Sequence, residues 1–205
     1  IITVTYNNKD GLIRTRDSIL PLPDNCEWII IDGNSSDGTK EVLSAIPKHE
    51  NIKWISEIDK GIYDAMNKGI NFSTGKYLNF MNSGDTYIRN NFIDIIKSKK
   101  CEHDIIMYDC QTITDNQEIS YVRQFPKSID EIKNWACVQH QSTLISKKVF
   151  DKLGLYSMEY KYLSDYEHSV KAYLDNDISF KLYPNIKICY FLVGGVSTNL
   201  KTTLV

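Results

Sequence analysis

The sequence predicts an α/β fold with a mostly parallel central sheet, helices on both faces and a small antiparallel portion in the second half. Strand and helix patterns alternate over the first hundred residues, which is typical of an open parallel sheet with right-handed crossovers. The early strands are apolar without a break, as in "WIIID" at 28–32, and such strands are covered on both faces. Polar residues gather directly after each of these strands, where parallel sheets place their ligand crevice.

The first half contains four predicted strands, each followed by a polar segment. The apolar spacing predicts strands at 1–6, 27–32, 52–56 and 76–81. Helical spacing predicts helices at 11–20, 37–46 and 62–72. Pro21 and Pro23 follow the first of these helices, and proline cannot continue a helix. These pairs build the parallel part of the sheet.

The second half has a less regular pattern. It predicts helices at 91–99, 128–134 and 164–174, and strands at 104–108, 180–183 and 187–191. The alternating strand at 118–123 can join only an antiparallel portion. We found no repeat, low-complexity segment or linker, so we predict a single domain over residues 1–205.

Composition excludes several partners. The 24 basic and 26 acidic residues nearly balance, so no bulk field favours nucleic acid or an anionic membrane as the main partner. The five cysteines have no metal-ligand spacing, which indicates reduced thiols in a cytoplasmic protein. No apolar run approaches the roughly 18 to 20 residues of a membrane span, and because the sequence opens with a predicted strand we expect no signal peptide.

Four polar segments follow the four early strands and should meet at one edge of the sheet. They are "TYNN" at 5–8, "DGNSSDGT" at 32–39, "EIDKGIYDAMNKG" at 57–69 and "NSGD" at 82–85. Each taken alone is also explained as a turn or a helix cap, since Asn, Asp, Ser and Gly are the usual residues there. Their convergence predicts a ligand crevice.

Two aspartates in these segments have additional chemistry. Asp32 ends a buried strand, where a carboxylate needs a partner; a base or ribose donor would serve, and so would the cap of the next helix. Asp85 follows Gly84, which permits close approach of a backbone or diphosphate. Its hard oxygens suit Mg²⁺ or Mn²⁺, which need few protein carboxylates when phosphates are present. The competing interpretation of 82–85 is a plain turn.

In this order, the motifs resemble the inverting glycosyltransferases of family 2, which have the Rossmann-like GT-A fold, and in particular the bacterial polysaccharide and O-antigen type. The resemblance spans nearly the whole chain. The motifs are "IITVTYNN", "IIDGNSSDGT", "DKGIYDAMNKGI", "GKYLNFMNSGD", "HQSTLISKKVF", "SDYE" and "GGVS".

The resemblance assigns residues 1–90 to nucleotide-sugar binding and 91–205 to acceptor binding. It implies that Asp32 reads the base, usually uracil, and that Asp85 binds a divalent metal ion, Mn²⁺ or Mg²⁺. Asn82 and Gly84 stand where the family more commonly has acids. The other implied donor-binding residues are Thr5, Tyr6, Asn7, Lys60, Asp64, Ser83, Gly84 and His140.

Asp165 resembles the family's catalytic base at the start of a helix, with Glu167 as the second candidate. Helix capping is the competing role for Ser164 or Asp165. The segment 194–197 resembles a flexible loop over the donor, or is a plain turn. If the assignments hold, Asp85 and Asp165 should face each other across one pocket.

The resemblance implies transfer of a sugar from a nucleotide-sugar donor, in particular a UDP-sugar, to a glycan or lipid-linked sugar acceptor. Bacterial surface polysaccharide synthesis at the inner face of the plasma membrane, with peripheral membrane association, is the implied setting. One alternative is a sugar-nucleotide or glycan binding module whose catalytic residues have decayed. Another is a sugar-phosphate nucleotidyltransferase, but "TYNNKDG" lacks the glycine-rich loop that a triphosphate needs.

Overall fold

A computed structural model describes residues 1–98, 101–114, 116, 118–120 and 125–193. The strands are Ile2–Thr5 (β1), Trp28–Asp32 (β2), Ile52–Ser56 (β3), Tyr77–Leu78 (β4), Thr86–Tyr87 (β5), Ile105–Ile113 (β6), Thr143–Ser146 (β7) and Phe180–Leu192 (β8). The α-helices are Lys9–Ile19 (α1), Thr39–Ser44 (α2), Ile62–Phe72 (α3), Arg89–Ser98 (α4), Lys147–Leu153 (α5) and Ser164–Leu174 (α6). Two short 3₁₀ helices span Ile129–Lys133 and His140–Ser142.

The predicted parallel sheet is confirmed for the first three strands. β1 and β3 both pair with β2 in parallel. Along β2, Ile29 and Ile31 pack into one core while Trp28 and Ile30 pack into the other. A strand buried on both faces has no position for a solvated side chain, which explains its unbroken apolar sequence.

The fourth predicted strand, 76–81, differs from the prediction. Only Tyr77–Leu78 forms a regular strand, and it runs antiparallel to β7. The chain then changes partner, because Asn79 accepts a bond from the Ile2 amide and Met81 donates to the Ile2 carbonyl, both at 2.9 Å. This exchange joins the three parallel strands to a second sheet, ordered β4-β7-β6-β8-β5.

The predicted antiparallel portion lies in that second sheet. β7 pairs antiparallel with β4 and β6, and β5 with β8. The two strands predicted at 180–183 and 187–191 form one strand, β8, parallel to β6 with register shifts between Tyr108 and Cys110. The strand predicted at 118–123 extends beyond the described residues; within them, Ile119 bridges Ile113 antiparallel. β7 and α5 were not predicted.

Helices cover both faces of the sheet, as predicted. One apolar core contains residues of α3, α5 and α6, and the other contains residues of α1, α2 and α4. Both cores combine residues from the two halves of the chain. Among the described residues, every helix is too short or too polar to cross a bilayer.

Candidate active site

The loops after β1 and β2 are fastened together by Asn7. Its backbone amide donates to Ser35 Oγ at 2.8 Å, and its side-chain Oδ1 accepts from the Ser36 amide at 2.9 Å. Asn7 has a φ of 46°, a left-handed conformation that asparagine tolerates better than most residues. The predicted donor-binding residue Asn7 is therefore one of the links between the first two loops.

The segment 82–85 forms a turn, closed by a 3.0 Å bond from the Asp85 amide to the Asn82 carbonyl. Gly84 has a φ of 109°, which strains any residue with a Cβ. Asn8, the N-cap of α1, donates to the Ser83 carbonyl at 3.0 Å, and Ser83 Oγ donates to the Asn8 carbonyl at 3.1 Å. The turn 82–85 is thus fixed against the loop after β1.

Asp165 lies in the first turn of α6 and is held by two side chains. Tyr63 Oη, from α3, donates to its Oδ1 at 2.8 Å. His140 Nδ1 lies 3.0 Å from its Oδ2, and His140 Nε2 lies 3.0 Å from Asn82 Nδ2. With the proton on Nδ1, every contact in this chain has a donor and an acceptor. The network joins α3, α6 and the turn 82–85.

The network keeps Asp165 ionised. Burial raises the pKa of Asp165, but the hydrogen bond and electrostatic interaction with His140 and the hydrogen bond from Tyr63 outweigh burial and bring this pKa below the ordinary 3.8. Burial and the nearby carboxylate raise the pKa of Tyr63 well above its usual value, so this phenol stays a donor. The Asp165 side chain retains 23% exposure, which leaves it accessible to a ligand.

Asp85 is bound on both carboxylate oxygens. Gln141 Nε2 donates to Oδ2 and the Leu192 amide donates to Oδ1, each at 2.9 Å. The residue is 5% exposed. Because Gln141 follows His140 directly, Asp85 and Asp165 contact neighbouring residues of the same 3₁₀ helix. Both aspartates therefore lie beside this 3₁₀ helix, but the Asp85 carboxylate is buried and bound by protein donors.

Asp32 is also enclosed. It has no exposed surface, and it accepts bonds from the amide and hydroxyl of Ser35 and from Ser56 Oγ, the last at 2.6 Å. The partner that its position requires is therefore supplied by serines. Its predicted role in reading the base stays a prediction that this conformation does not itself support.

The other predicted residues differ in accessibility. Tyr6 is 65% exposed, whereas Thr5 is buried with an Oγ1 that has no hydrogen-bond partner in the described part of the chain. Lys60 is exposed. Asp64 Oδ2 accepts from the Lys60 amide at 3.0 Å and lies 3.4 Å from Lys68 Nζ, so Asp64 orders the start of α3.

Two further predictions concern the second half. The alternative base Glu167 lies in the first turn of α6 and pairs with Lys171 at 2.5 Å. The segment 194–197 lies outside the described residues.

The model of the family described as "Glycosyl transferase family 2" matches residues 1–154 of this chain. The chain belongs to glycosyl transferase family 2. This match covers the four loops, the turn 82–85 and His140, while Asp165 follows it.

Known glycosyltransferases resemble the chain in sequence and in fold. "UDP-Glc:alpha-D-GlcNAc-diphosphoundecaprenol beta-1,3-glucosyltransferase WfaP" of Escherichia coli is 25% identical, over 83% of this chain and 67% of its own. TarS of S. aureus in complex with UDP-GlcNAc superposes with a TM-score of 0.75 and 15% identity, over 100% of this chain and 60% of that one. Mannosyltransferase PcManGT of Pyrobaculum calidifontis, in complex with GDP-Man and Mn²⁺, superposes with a TM-score of 0.69 and 17% identity, over 96% of this chain and 57% of that one. These likenesses establish the GT-A fold.

The donor set around the turn 82–85 does not fit a resident Mg²⁺ or Mn²⁺ in this conformation. Both Asp85 carboxylate oxygens accept protein hydrogen bonds, and the described residues contain no group of three or more His, Cys, Asp or Glu that could hold a metal. Asn82 Oδ1 is buried without a hydrogen-bond partner among them, but a single amide oxygen is a weak ligand set. The metal role of Asp85 stays a prediction.

Sequence reasoning missed three residues that organise this family 2 site. Tyr63 and Gln141 hold the two aspartates, and Asn79 anchors the 3₁₀ helix that carries His140. Tyr63 and Gln141 lie within the motifs "DKGIYDAMNKGI" and "HQSTLISKKVF", so the motifs contained a signal. Nothing local distinguishes Asn79 from an ordinary strand residue.

We expect Asp85→Ala to lower the free energy of unfolding by about 2 to 4 kcal/mol in metal-free buffer. The substitution leaves the Gln141 amide and the Leu192 N–H without their acceptor, and a buried unpaired donor costs about 1 to 3 kcal/mol. Urea unfolding followed by circular dichroism measures the loss. A residue kept only to bind metal would give unchanged or higher stability in this assay.

Proposed function

We propose that this chain is an inverting glycosyltransferase that moves a sugar from a UDP-sugar to an acceptor hydroxyl. The observation that carries the proposal is the network around Asp165, an ionised and accessible carboxylate linked through His140 to Asn82. It brings the predicted base to the turn at which the family resemblance places the donor diphosphate. Family membership supplies the reaction class.

The reaction is a single in-line displacement at the anomeric carbon of the donor sugar. The acceptor oxygen forms the new bond to this carbon as the bond to the diphosphate oxygen breaks, with its electron pair leaving on the diphosphate. Asp165 accepts the acceptor's proton in the same step. Attack on the face opposite the leaving group inverts the anomeric configuration, and holding both substrates in place lowers the entropic part of the barrier.

The donor would lie along the loops after β1, β2 and β3. Tyr6 offers an exposed ring to the base, and base stacking on aromatic rings is favourable. The Lys60 ammonium is exposed and suits the diphosphate. The names of WfaP and TarS in complex with UDP-GlcNAc support a UDP-sugar for this chain as well.

The wider setting is proposed from the relatives. An acceptor that is a glycan or a lipid-linked sugar agrees with the diphosphoundecaprenol acceptor named for WfaP. We therefore propose that the reaction belongs to surface polysaccharide synthesis, at the cytoplasmic face of the membrane and with peripheral association.

A panel of nucleotide sugars, screened by thermal shift with and without Mn²⁺, tests the proposal. We expect UDP and at least one UDP-sugar to raise the melting temperature, because a ligand that binds the folded state stabilises it by mass action. We expect Mn²⁺ to add to this shift only when the diphosphate is present to supply oxygen ligands. Failure of every nucleotide to bind would contradict the proposal, and an unchanged shift with Mn²⁺ or EDTA would contradict the cofactor.

A binding module without turnover is the second candidate, because Asp85 is engaged with protein donors and Asn82 and Gly84 are not acids. Such a module would bind UDP-sugars and leave them intact. Release of UDP over hours, with and without added acceptors, separates it from the enzyme.

A further inference from the structure

A cavity of about 620 Å³ lies between α1 and the strands β5, β6 and β8, and this volume suits a small organic ligand. Along β8, Cys189 and Phe191 pack into an apolar core. Because side chains alternate along a strand, Tyr190 and Leu192 lie on the other face, which forms part of the cavity wall. Among the described residues with a predicted donor contact, only Gly84 lines it. The cavity is therefore separate from the site proposed for the nucleotide sugar.

Part of the cavity wall is apolar and open to solvent. Ile119 is 68% exposed and Tyr190 is 37% exposed, and both line the cavity together with Ile113 and Leu192. Ile113 and Leu192 are paired across β6 and β8, and Ile119 bridges Ile113, so these side chains are neighbours. Contiguous exposed apolar surface of this kind marks an interaction site. It suits the apolar part of a ligand.

The same wall contains a positive charge. Lys187, on β8, is half-buried, and its Nζ donates to Gln111 Oε1 at 2.6 Å. This amide oxygen is neutral, and within the described ranges Lys187 makes no ion pair with a carboxylate. Arg14 lines the cavity from α1, and so does Asp17, whose Oδ1 lies 2.8 Å from Arg16 Nε. The described lining therefore has a net positive charge.

We propose that this cavity binds a phosphate-bearing amphiphile, with the phosphate at Lys187 and the apolar chain against Tyr190 and Ile113. A free phosphate would leave the apolar wall in water, and a neutral lipid would leave the lysine without a counter-charge. Lysine binds phosphate as a point charge, so the same site accommodates a phosphate or a diphosphate head group. This inference goes beyond the proposed function and does not depend on it.

Titration calorimetry with geranyl phosphate, below its micelle-forming concentration, tests the inference. We expect geranyl phosphate to bind at least about 10-fold more tightly than geraniol, which lacks the charge, or inorganic phosphate, which lacks the chain. Lys187→Gln should raise the dissociation constant for geranyl phosphate about 10-fold, as for a lost charge-assisted hydrogen bond. Lys181→Gln is the matched control, because it removes the same charge from an exposed position of β8 outside the cavity. This control should bind geranyl phosphate like the wild-type protein.

Thr86→Phe tests the cavity independently of its charge. Thr86 lines the cavity from β5, where it pairs with Tyr190, and phenylalanine is well tolerated in strands. The added ring should occupy part of the cavity and weaken the binding of geranyl phosphate, although Lys187 is still present. Circular dichroism checks that each variant is folded.

Two sources could supply such an amphiphile, and a second probe distinguishes them. One is the phosphate-linked end of a polyprenyl acceptor, of the kind named for WfaP. The other is a membrane phospholipid. Tighter binding of geranyl phosphate than of dihexanoyl phosphatidylglycerol supports the acceptor as the source, and the reverse order supports the phospholipid.

Three results would overturn the inference and leave the proposed function standing. The first is equal affinity for geranyl phosphate and geraniol, or no binding of either. The second is wild-type affinity for geranyl phosphate in folded Lys187→Gln and Thr86→Phe. The third is a wild-type dimer that Ile119→Lys converts to monomers in gel filtration, since a second copy then covers the apolar wall. UDP should bind both cavity variants like the wild-type protein, because the substituted side chains lie outside the loops after β1, β2 and β3.

Discussion

Asp165→Asn should reduce the rate of sugar transfer by about 100- to 10,000-fold while leaving the fold intact, the loss expected when a general base is removed. An asparagine has nearly the same shape and can still accept a hydrogen bond from Tyr63 or His140. It cannot take the proton of an attacking hydroxyl. The binding of UDP should change little, because in the proposed mechanism the carboxylate acts on the acceptor.

The geometry explains why so large an effect is expected from one atom. Tyr63 and His140 fix both oxygens of Asp165, at 2.8 and 3.0 Å, from two different parts of the fold. A base held in this way loses little entropy when it meets the acceptor. The lowered pKa of Asp165 keeps it ionised near neutral pH, so the carboxylate is ready to accept a proton and releases that proton to solvent after each transfer.

Glu167→Gln is the control for this experiment. Glu167 lies two residues further along α6 and pairs with Lys171, so it tests whether any acid at this helix start would serve. We expect near wild-type transfer. The reverse result, with Asp165→Asn active and Glu167→Gln inactive, would move the base to Glu167. Transfer is followed as release of UDP with acceptor present, and circular dichroism checks the fold.

The local patterns were sufficient for helices and strands whose own sequences have a clear apolar pattern. The helices at 62–72 and 164–174 form with the predicted bounds, because apolar spacing on one face is a property of the segment itself. β2 was predicted from its continuous apolar sequence for the same reason. By contrast, β7 has only four residues and depends on pairing with β4 and β6, so "TLIS" contained no signal of its own.

The same distinction between local and distant information applies to the side chains of the candidate site. Asp32 and Asp85 were recognised as carboxylates at strand ends that need partners. Asp32 is bound by Ser35, three residues away, and by Ser56, 24 residues away. The donors to Asp85 are Gln141 and Leu192, which lie 56 and 107 residues away. Sequence spacing cannot distinguish a carboxylate satisfied by distant donors from one that awaits a ligand.

Asn79→Ala should lower the free energy of unfolding by about 3 to 5 kcal/mol. Asn79 is 4% exposed. Its Nδ2 lies 3.0, 3.1 and 2.9 Å from the carbonyls of His140, Gln141 and Thr143, and its Oδ1 accepts from the Tyr87 hydroxyl. Alanine removes these four contacts from the core, although the His140 carbonyl still accepts from the Thr143 amide. Each buried unpaired group costs about 1 to 3 kcal/mol, and part is regained by relaxation.

Asn91→Ala is a matched control, because the Asn91 amide donates to one carbonyl, that of Lys187 at 2.7 Å, near the surface. We expect it to cost about 1 kcal/mol, as for a single ordinary hydrogen bond. If urea unfolding gives equal losses of free energy of unfolding for the two variants, the several contacts of Asn79 contribute no more than one ordinary hydrogen bond. They would also contradict its role as the anchor of the 3₁₀ helix.

The same substitution tests how the fold and the proposed chemistry are connected. The 3₁₀ helix presents His140 to Asp165 and Gln141 to Asp85. Asn79, directly after β4, donates hydrogen bonds to the carbonyls of this helix. At a temperature where Asn79→Ala is still folded, we expect transfer to fall at least tenfold, because a helix without its anchor samples several positions and His140 no longer fixes Asp165. UDP affinity should fall less than transfer, because the loops after β1 and β2 are held by Asn7 and do not depend on Asn79.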